Sequence, residues 1–313
     1  MKFNIKTLIL IWFFLICLSI TINLNSLISE TTKSSKIETP NNADAPVVRG
    51  LVINDLNTNL SWNKLELENE WCSGNGTINN PYIIDSILIR RESNGDNYGI
   101  DIHNSRAFFI IKNCDIGSDS DTGLFLWNVS NGIIFYNQAE GVDRPIAMSN
   151  CSNVNISSNV FKMSYSFAID LDNCKFISIN NNTFTDGKWH GISLFQCTNC
   201  FITENYVEIE QHGGVYLSNS HYNIIYKNVI HYDKTGMEIF GSTYNNITYN
   251  YLDGNGECFD ERFDSMYNIF EHNTCLAEEL VIPGYDWIII LSVILIFQSL
   301  IIINLWIKKY ETI

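Results

Sequence analysis

The chain has 313 residues, of which 46% are hydrophobic and 17% charged, enough apolar material for a sizeable core in one or two domains. Its formal net charge is −15, and within residues 48–286 the 30 Asp and Glu outnumber the 13 Lys and Arg. Such a surface repels polyanions, which excludes nucleic acid as a partner.

The first predicted segment is apolar. Lys2 and Lys6 precede an apolar run at residues 8–20, the pattern of a signal peptide or an uncleaved signal anchor, assigned to residues 1–28. Residues 29–47 are rich in Ser, Thr, Asn and Lys and read as a linker, and residues 48–97 as the cap that leads into a repeat.

From Tyr98 to about residue 280 the chain repeats every 22 to 24 residues. The register mark is an Asn column: Asn113, Asn137, Asn159, Asn182, Asn205, Asn228, Asn250 and Asn273. An apolar residue stands three positions before each, from Ile110 and Ile134 to Phe270, and from the second coil on another stands two after, such as Phe161 and Val207. The first coil departs, with Asp115 where the apolar residue belongs and Ile116 one further on, as if one residue were inserted. Each coil opens on a second motif, such as Gly123-Leu-Phe-Leu126 or Gly191-Ile-Ser-Leu194, whose period of two predicts a strand with one buried face. Cys258 to Arg262 breaks that motif, as a terminal coil does.

One such coil cannot bury its inward face alone, but stacking equivalent strands about 4.8 Å apart closes a shared core. The expected fold is therefore all-β: a right-handed, single-stranded parallel β-helix, a solenoid of about eight coils. An Asn amide in each turn can bond its counterpart in the next coil and satisfy the turn backbone. The helical or leucine-rich solenoid is disfavoured by the abundance of Ile, Val, Tyr and Phe and by the lack of helical periodicity between the two terminal apolar segments.

At the C-terminal end residues 287–307 are mostly apolar, long enough to span a bilayer, and Lys308 and Lys309 follow. They read as a transmembrane helix with a cytoplasmic tail at 308–313 and the coils outside the cell membrane. Seven N-x-[ST] sequons, at Asn59, Asn75, Asn128, Asn150, Asn155, Asn181 and Asn246, agree with an outside location, although an Asn-rich chain produces many by chance.

The coils resemble the right-handed β-helix repeats of the NosD and carbohydrate-binding/sugar-hydrolase type. The sequence WCSGNGTINNPYII at residues 71–84 resembles the lead-in of many archaeal surface members, and Pro283-Gly-Tyr285 with the apolar span resembles archaeal surface-anchoring signals. The resemblance implies scaffold and topology; it carries over no copper ligand set, because His103, His190, His212, His221, His231 and His272 fall at different repeat positions and no Met-rich motif is present.

If the second and fourth residues of each opening strand are buried, the third and fifth face out. These columns read Asp101, Phe125, Ala147, Asp170, Ser193, Tyr216, Glu238 and His103, Trp127, Ser149, Asp172, Phe195, Ser218, Phe240. Aromatic rings beside carboxylates and hydroxyls suit a glycan, and Trp127, Ser193, Phe195, Tyr216, Glu238 and Phe240 are the candidate ligand contacts; chance exposure of a few rings is the alternative. Asp170 and Asp172, two apart on one strand, are candidate catalytic carboxylates for glycoside hydrolysis, with His190 a candidate base beside His212 in the turns leading into this face. A solvated acidic strand and solvated turn histidines explain the same residues.

A lyase or epimerase of acidic polysaccharide needs cations, and Lys188 and Arg144 are the nearby ones, so a neutral glycan fits better unless Ca²⁺ bridges the charges; no cofactor or metal is otherwise expected. Cys151, Cys174 and Cys197 share a column continued by Ser220, Ser242 and Ser265, which small interior residues explain without redox chemistry, and Cys197 with Cys200 is a lone CxxC unsuited to zinc. Three functions follow: glycan or cell-envelope polysaccharide binding, glycoside hydrolysis or another polysaccharide-modifying activity, and a purely structural stalk.

Overall fold

The computed structural model describes residues 45–90, 98–117, 121–209, 211–231 and 234–277. The segments at 1–28, most of the linker 29–47, and the spans at 287–307 and 308–313 lie outside the described residues. Among the described residues no helix is long and apolar enough to cross a membrane.

The described chain is a parallel β-solenoid of about eight turns with three sheets, one per side. An opening face of nine strands runs from Leu51–Asn54 to Glu257–Arg262, a middle face ends at Ile269–Glu271, and a closing face runs from Val47–Arg49 to Thr274–Ala277. Pairing is parallel except where Cys72–Ser73 runs against Tyr82–Asp85.

The repeat offsets become stacked columns. Ile111, Ile134, Ile156, Ile179, Ile202, Ile225, Ile247 and Phe270 are paired in succession on the middle face. Ile116, Ala139, Phe161, Phe184, Val207, Ile230, Leu252 and Cys275 do the same on the closing face. All of these except the last coil's members are buried, so the core is one apolar rod along the axis.

The chain turns at corners where a residue takes a positive φ and the next points inward. The first corner uses Asn104, Asn128, Asn150, Asn173, Gln196 and Asn219; the third uses Asn113, Tyr136, Ser158, Asn181, Glu204, Lys227 and Tyr249. Asn tolerates this left-handed conformation better than most side chains. The inward residue that follows carries a hydrogen-bond ladder. Asn159 Nδ2 donates to Asn182 Oδ1 at 2.9 Å and to the Ile134 carbonyl at 3.0 Å, while its main-chain N donates to the same Oδ1 at 2.9 Å. The arrangement recurs from Asn137 to Asn250 and satisfies amides that no water reaches.

Two departures from the sequence reading concern these corners. Asn113 is not in the ladder: Cys114 is, its main-chain N donating to Asn137 Oδ1 at 3.0 Å, while Asn113 occupies the positive-φ site one position earlier. With Cys114 as reference, Ile111 and Ile116 take the ordinary offsets and no residue is inserted. A second Asn ladder, Asn223 to Asn245 (3.0 Å) to Asn268 (2.9 Å), runs up the corner between the opening and middle faces' ends and begins at Cys200. The column Cys151, Cys174, Cys197, Ser220, Ser242 and Ser265 is a third ladder, in which Cys174 N donates to Cys197 Sγ (3.4 Å) and Cys197 N to Ser220 Oγ (2.9 Å).

The cap contains a short helix that the periodicity did not reveal. Helix α1, Trp62–Glu68, starts at Ser61, whose side chain accepts from Lys64 N. It buries Trp62 against Tyr82 and Phe109, with ring centroids 5.3 Å away in both cases, and Trp62 Nε1 donates to Ser105 Oγ at 3.1 Å. At the other end a disulfide joins Cys258 of the last opening strand to Cys275 of the last closing strand.

Candidate functional site

Register keeps each outward position of the opening face in line along the axis. Phe125, Ala147, Asp170, Ser193, Tyr216 and Glu238 are cross-strand partners in turn, as are Trp127, Ser149, Asp172, Phe195, Ser218 and Phe240. The two columns run along the axis as the repeat implied.

Sequence alternation missed a third column. Phe167 and His190, partners on adjacent strands, precede the small residue that opens the motif, and Arg144 holds the same place one coil earlier. His190 is the first residue of the strand His190–Phe195 rather than part of a turn. Gly191 keeps the next position inside, since a Cβ there would come within 2.5 Å of Val207 Cγ1, so strict alternation fails at this point of the strand. The signal was available: Tyr98, Arg144, Phe167 and His190, large side chains of unlike chemistry, each stand before the small or proline residue that opens the motif.

Two clusters form. In the middle coils Arg144 Nη1 lies 3.6 Å from Asp170 Oδ2, and Ser149 Oγ donates to Asp172 Oδ2 at 3.3 Å. Burial pushes the Asp170 carboxyl above the usual carboxylate range, against the opposing pull of Arg144 and a hydrogen bond from Ser193. Asp172 is exposed, and Ser193 is covered by its neighbours.

The second cluster lies one to three coils on. His190 is only 6% exposed, stacks on Phe167 (5.7 Å) and meets Tyr216 at a tilt (5.0 Å), with Trp189 and His212 packed beside it. Its Nε2 is 3.6 Å from Glu238 Oε2, and that imidazole holds the Glu238 carboxyl below its ordinary value. Burial and the charge of His190 push His212 down. Towards the cap Tyr98 stacks on Phe125 at 4.8 Å, His103 pairs with Asp101, and Trp127 sits edge-on to His103.

Trp127 and Phe195 are 43% and 41% exposed, on one column with the polar Ser149 and Asp172 between them. The structure thus brings His190, Tyr216 and Glu238 together, while Asp170 and Asp172 share the preceding strand, where Asp170 is in register with Ser193 and His190 with Phe167. Lys188 lies over the Tyr165 ring at 4.6 Å, and Arg144 is engaged with Asp170, so both nearby cations have partners.

A metal would need converging donors. Among the described residues no group of three or more His, Cys, Asp and Glu is placed to hold one. The buried thiols are hydrogen-bonded to the main chain, as Cys151 Sγ donates to the Leu126 carbonyl at 3.4 Å, and burial pushes the Cys114 thiol up to about 12, away from the thiolate a soft metal takes.

The family model described as periplasmic copper-binding protein (NosD) matches residues 73–274. No curated protein matches the sequence. Among solved structures the coils are similar to the periplasmic alginate epimerase AlgG, at 15% identity over 65% of this chain and 57% of that one, with a TM-score of 0.47. They are also similar to a glycoside hydrolase, at 15% identity over 56% and 38% of the two chains and a TM-score of 0.47. The A-module of the Azotobacter vinelandii mannuronan C-5 epimerase AlgE6 follows at 13% identity, 63% and 64% coverage and a TM-score of 0.41. The chain spans little more than half of AlgG, and the likeness is one of the coiled scaffold.

Proposed function

The chain belongs to the NosD family, and from that premise we propose that it is a glycan-binding surface protein whose opening face is the binding face. The copper of the family's description has no fitting donor set among the described residues, so no step is routed through it. The observation that carries the reading is the pair Trp127 and Phe195, large rings left open to solvent on one column, with hydroxyl and carboxylate groups between them. Sugar faces stack on exposed rings while their hydroxyls need hydrogen-bonding partners, and this column supplies both. In this reading the coils stand outside the cell, anchored through residues 287–307.

The test is binding of the full-length chain to a panel of polysaccharides. Trp127→Ala and Phe195→Ala should each weaken binding about tenfold or more, the loss expected when an aromatic contact worth about 1.5 kcal/mol is removed. Undiminished binding in both variants removes this face from the reading.

A second reading has its own observation. Asp170 is held above the carboxylate range by burial while Asp172, two residues along the same face, is exposed, and carboxyls in divergent environments suit an acid and its partner in glycoside hydrolysis. Asp170→Asn should then abolish any turnover of a glycan that the chain cleaves, and an unchanged rate dismisses the pair.

A further inference from the structure

The charge around the two exposed rings goes further than a generic glycan. Resting on the glycan reading, we infer that the segment of the opening face between Trp127 and Phe195 selects a glycan bearing free, protonated amino groups, a deacetylated hexosamine polymer in chemical class, over neutral and acidic ones.

The column offers one ionic group to a ligand. Arg144 and Asp170 face each other and cancel. Asp172 is exposed and is contacted only by the Ser149 hydroxyl, with no cation in ion-pair range among the described residues. Lys188, the other base near this face, is engaged over Tyr165. A sugar seated here therefore meets an uncompensated carboxylate. A uronate would be repelled by it, and a neutral sugar would leave it without a counter-charge. An ammonium supplies the charge-assisted donor that a lone carboxylate lacks.

The rings give a second, independent pointer to a cation. Trp127 lies one coil before Ser149 and Phe195 one coil after Asp172, so the carboxylate sits between two aromatic groups about 14 Å apart at three coil spacings. Aromatic faces attract ammonium groups as well as stacking on sugar rings. The same geometry serves a polymer: Phe240 stands two coils beyond Phe195 with Ser218 between, and Glu238, which His190 keeps ionised, is on the neighbouring column of Phe240's own strand. Only the Trp127–Phe195 interval sets a carboxylate without a counter-charge beside a hydroxyl; in the Phe195–Phe240 interval Glu238 is already paired with His190. The overall net charge of −15 draws such a chain in from solution.

The experiment titrates the full-length chain with a fully deacetylated glucosamine pentamer, its N-acetylated counterpart, a neutral glucose pentamer and a galacturonate pentamer, below the pKa of the amine and at two salt concentrations. The deacetylated pentamer should bind about tenfold or more tighter than the acetylated and neutral ones, with the advantage shrinking at high salt, as expected of a charge-assisted contact at a partly exposed site. Asp172→Asn, at an exposed position that leaves the core untouched, should bring the preference within about threefold while Trp127→Ala weakens all the sugars alike. Equal binding of the acetylated or neutral pentamer overturns the inference and leaves the glycan reading standing. An Asp172→Asn variant that keeps the full preference overturns it as well. If no pentamer binds, the glycan reading itself falls. Oligolysine binding as tightly as the deacetylated sugar makes the site one for cations at large, which also overturns the proposal.

Discussion

At the residue scale the protein rests on amides that would be liabilities anywhere else. Asn205 is buried, and its Oδ1 accepts from both Asn182 N and Asn182 Nδ2 at 3.0 Å, while its Nδ2 donates to the Ile179 carbonyl and to Asn228 Oδ1 at 2.9 Å. Asn205→Leu fills similar space but strands donors and acceptors on the two flanking coils, and each unsatisfied buried group costs about 1–3 kcal/mol, so a loss of about 4 kcal/mol in denaturant unfolding is expected. The Asn column was legible because every member but one does the same job. Asn113 misled because the positive-φ site before the ladder also favours Asn, so the residue type alone does not tell the two positions apart. Glu238 makes a pH-dependent contribution. Its folded pKa lies below the ordinary 4.5, so its stabilisation is present above that value and is lost as pH falls through the folded pKa. The melting temperature of Glu238→Gln should fall below that of the wild type at neutral pH and converge with it in acid; a constant gap at all pH values refutes the charge pairing with His190.

At the scale of a strand, period-two alternation placed the inward side chains of the last four residues in the opening strands from Tyr98–His103 to Thr235–Phe240, and failed at the first two. Ile192 and Leu194 point in and Phe195 is exposed, as alternation requires. The residue before them, Gly191 here and Ala168 or Pro145 in the two preceding coils, is also buried, and His190, Phe167 and Arg144 stand one position earlier. Gly191 is required by its surroundings, because an added Cβ would meet Val207 Cγ1 at 2.5 Å and the Gly214 carbonyl oxygen at 2.8 Å. Gly191→Ala should destabilise the protein by about 1–3 kcal/mol through overpacking and displace His190, visible as a changed imidazole environment by NMR. Helix α1 escaped detection for a different reason. Seven residues give two turns, too few for periodicity, and its burial depends on one side chain, Trp62, that meets the first coil only in three dimensions.

For the whole molecule, coil number and stacking order followed from the repeat, because a one-residue slip would turn every inward side chain outward. The ends were less legible, since their residues are chosen to stop the repeat. The last opening strand still pairs with its neighbour, yet it places Glu261 opposite Ile239, and Phe263 beyond it is 72% exposed. The Cys258–Cys275 disulfide encloses this coil. In a stack where each coil contacts only its neighbours, its reduction should loosen residues 257–277 first, with faster amide exchange there and little change before Gly213. Loss of protection throughout would mean the array folds as one unit. The binding face itself was only partly readable: alternation found the rings, but which carboxylates keep a free charge depends on Arg144 and Lys188, whose partners lie on other coils.

The ladders have a direction, and that direction sets how such a molecule can change length. Each amide gives its donors to the next coil's side-chain oxygen and to the preceding coil's carbonyl, so every rung is the same adaptor, with one kind of socket below and one above. Removing or duplicating 22 or 23 residues between equivalent rungs leaves each surviving adaptor mated to one of its own kind. A deletion of ten residues would bring three mismatched columns together at once. Descent within such a lineage is therefore quantised in whole coils, and relatives of quite different length can keep the same cross-section, with Trp127 and Phe195 moved closer or further apart in steps of one strand spacing.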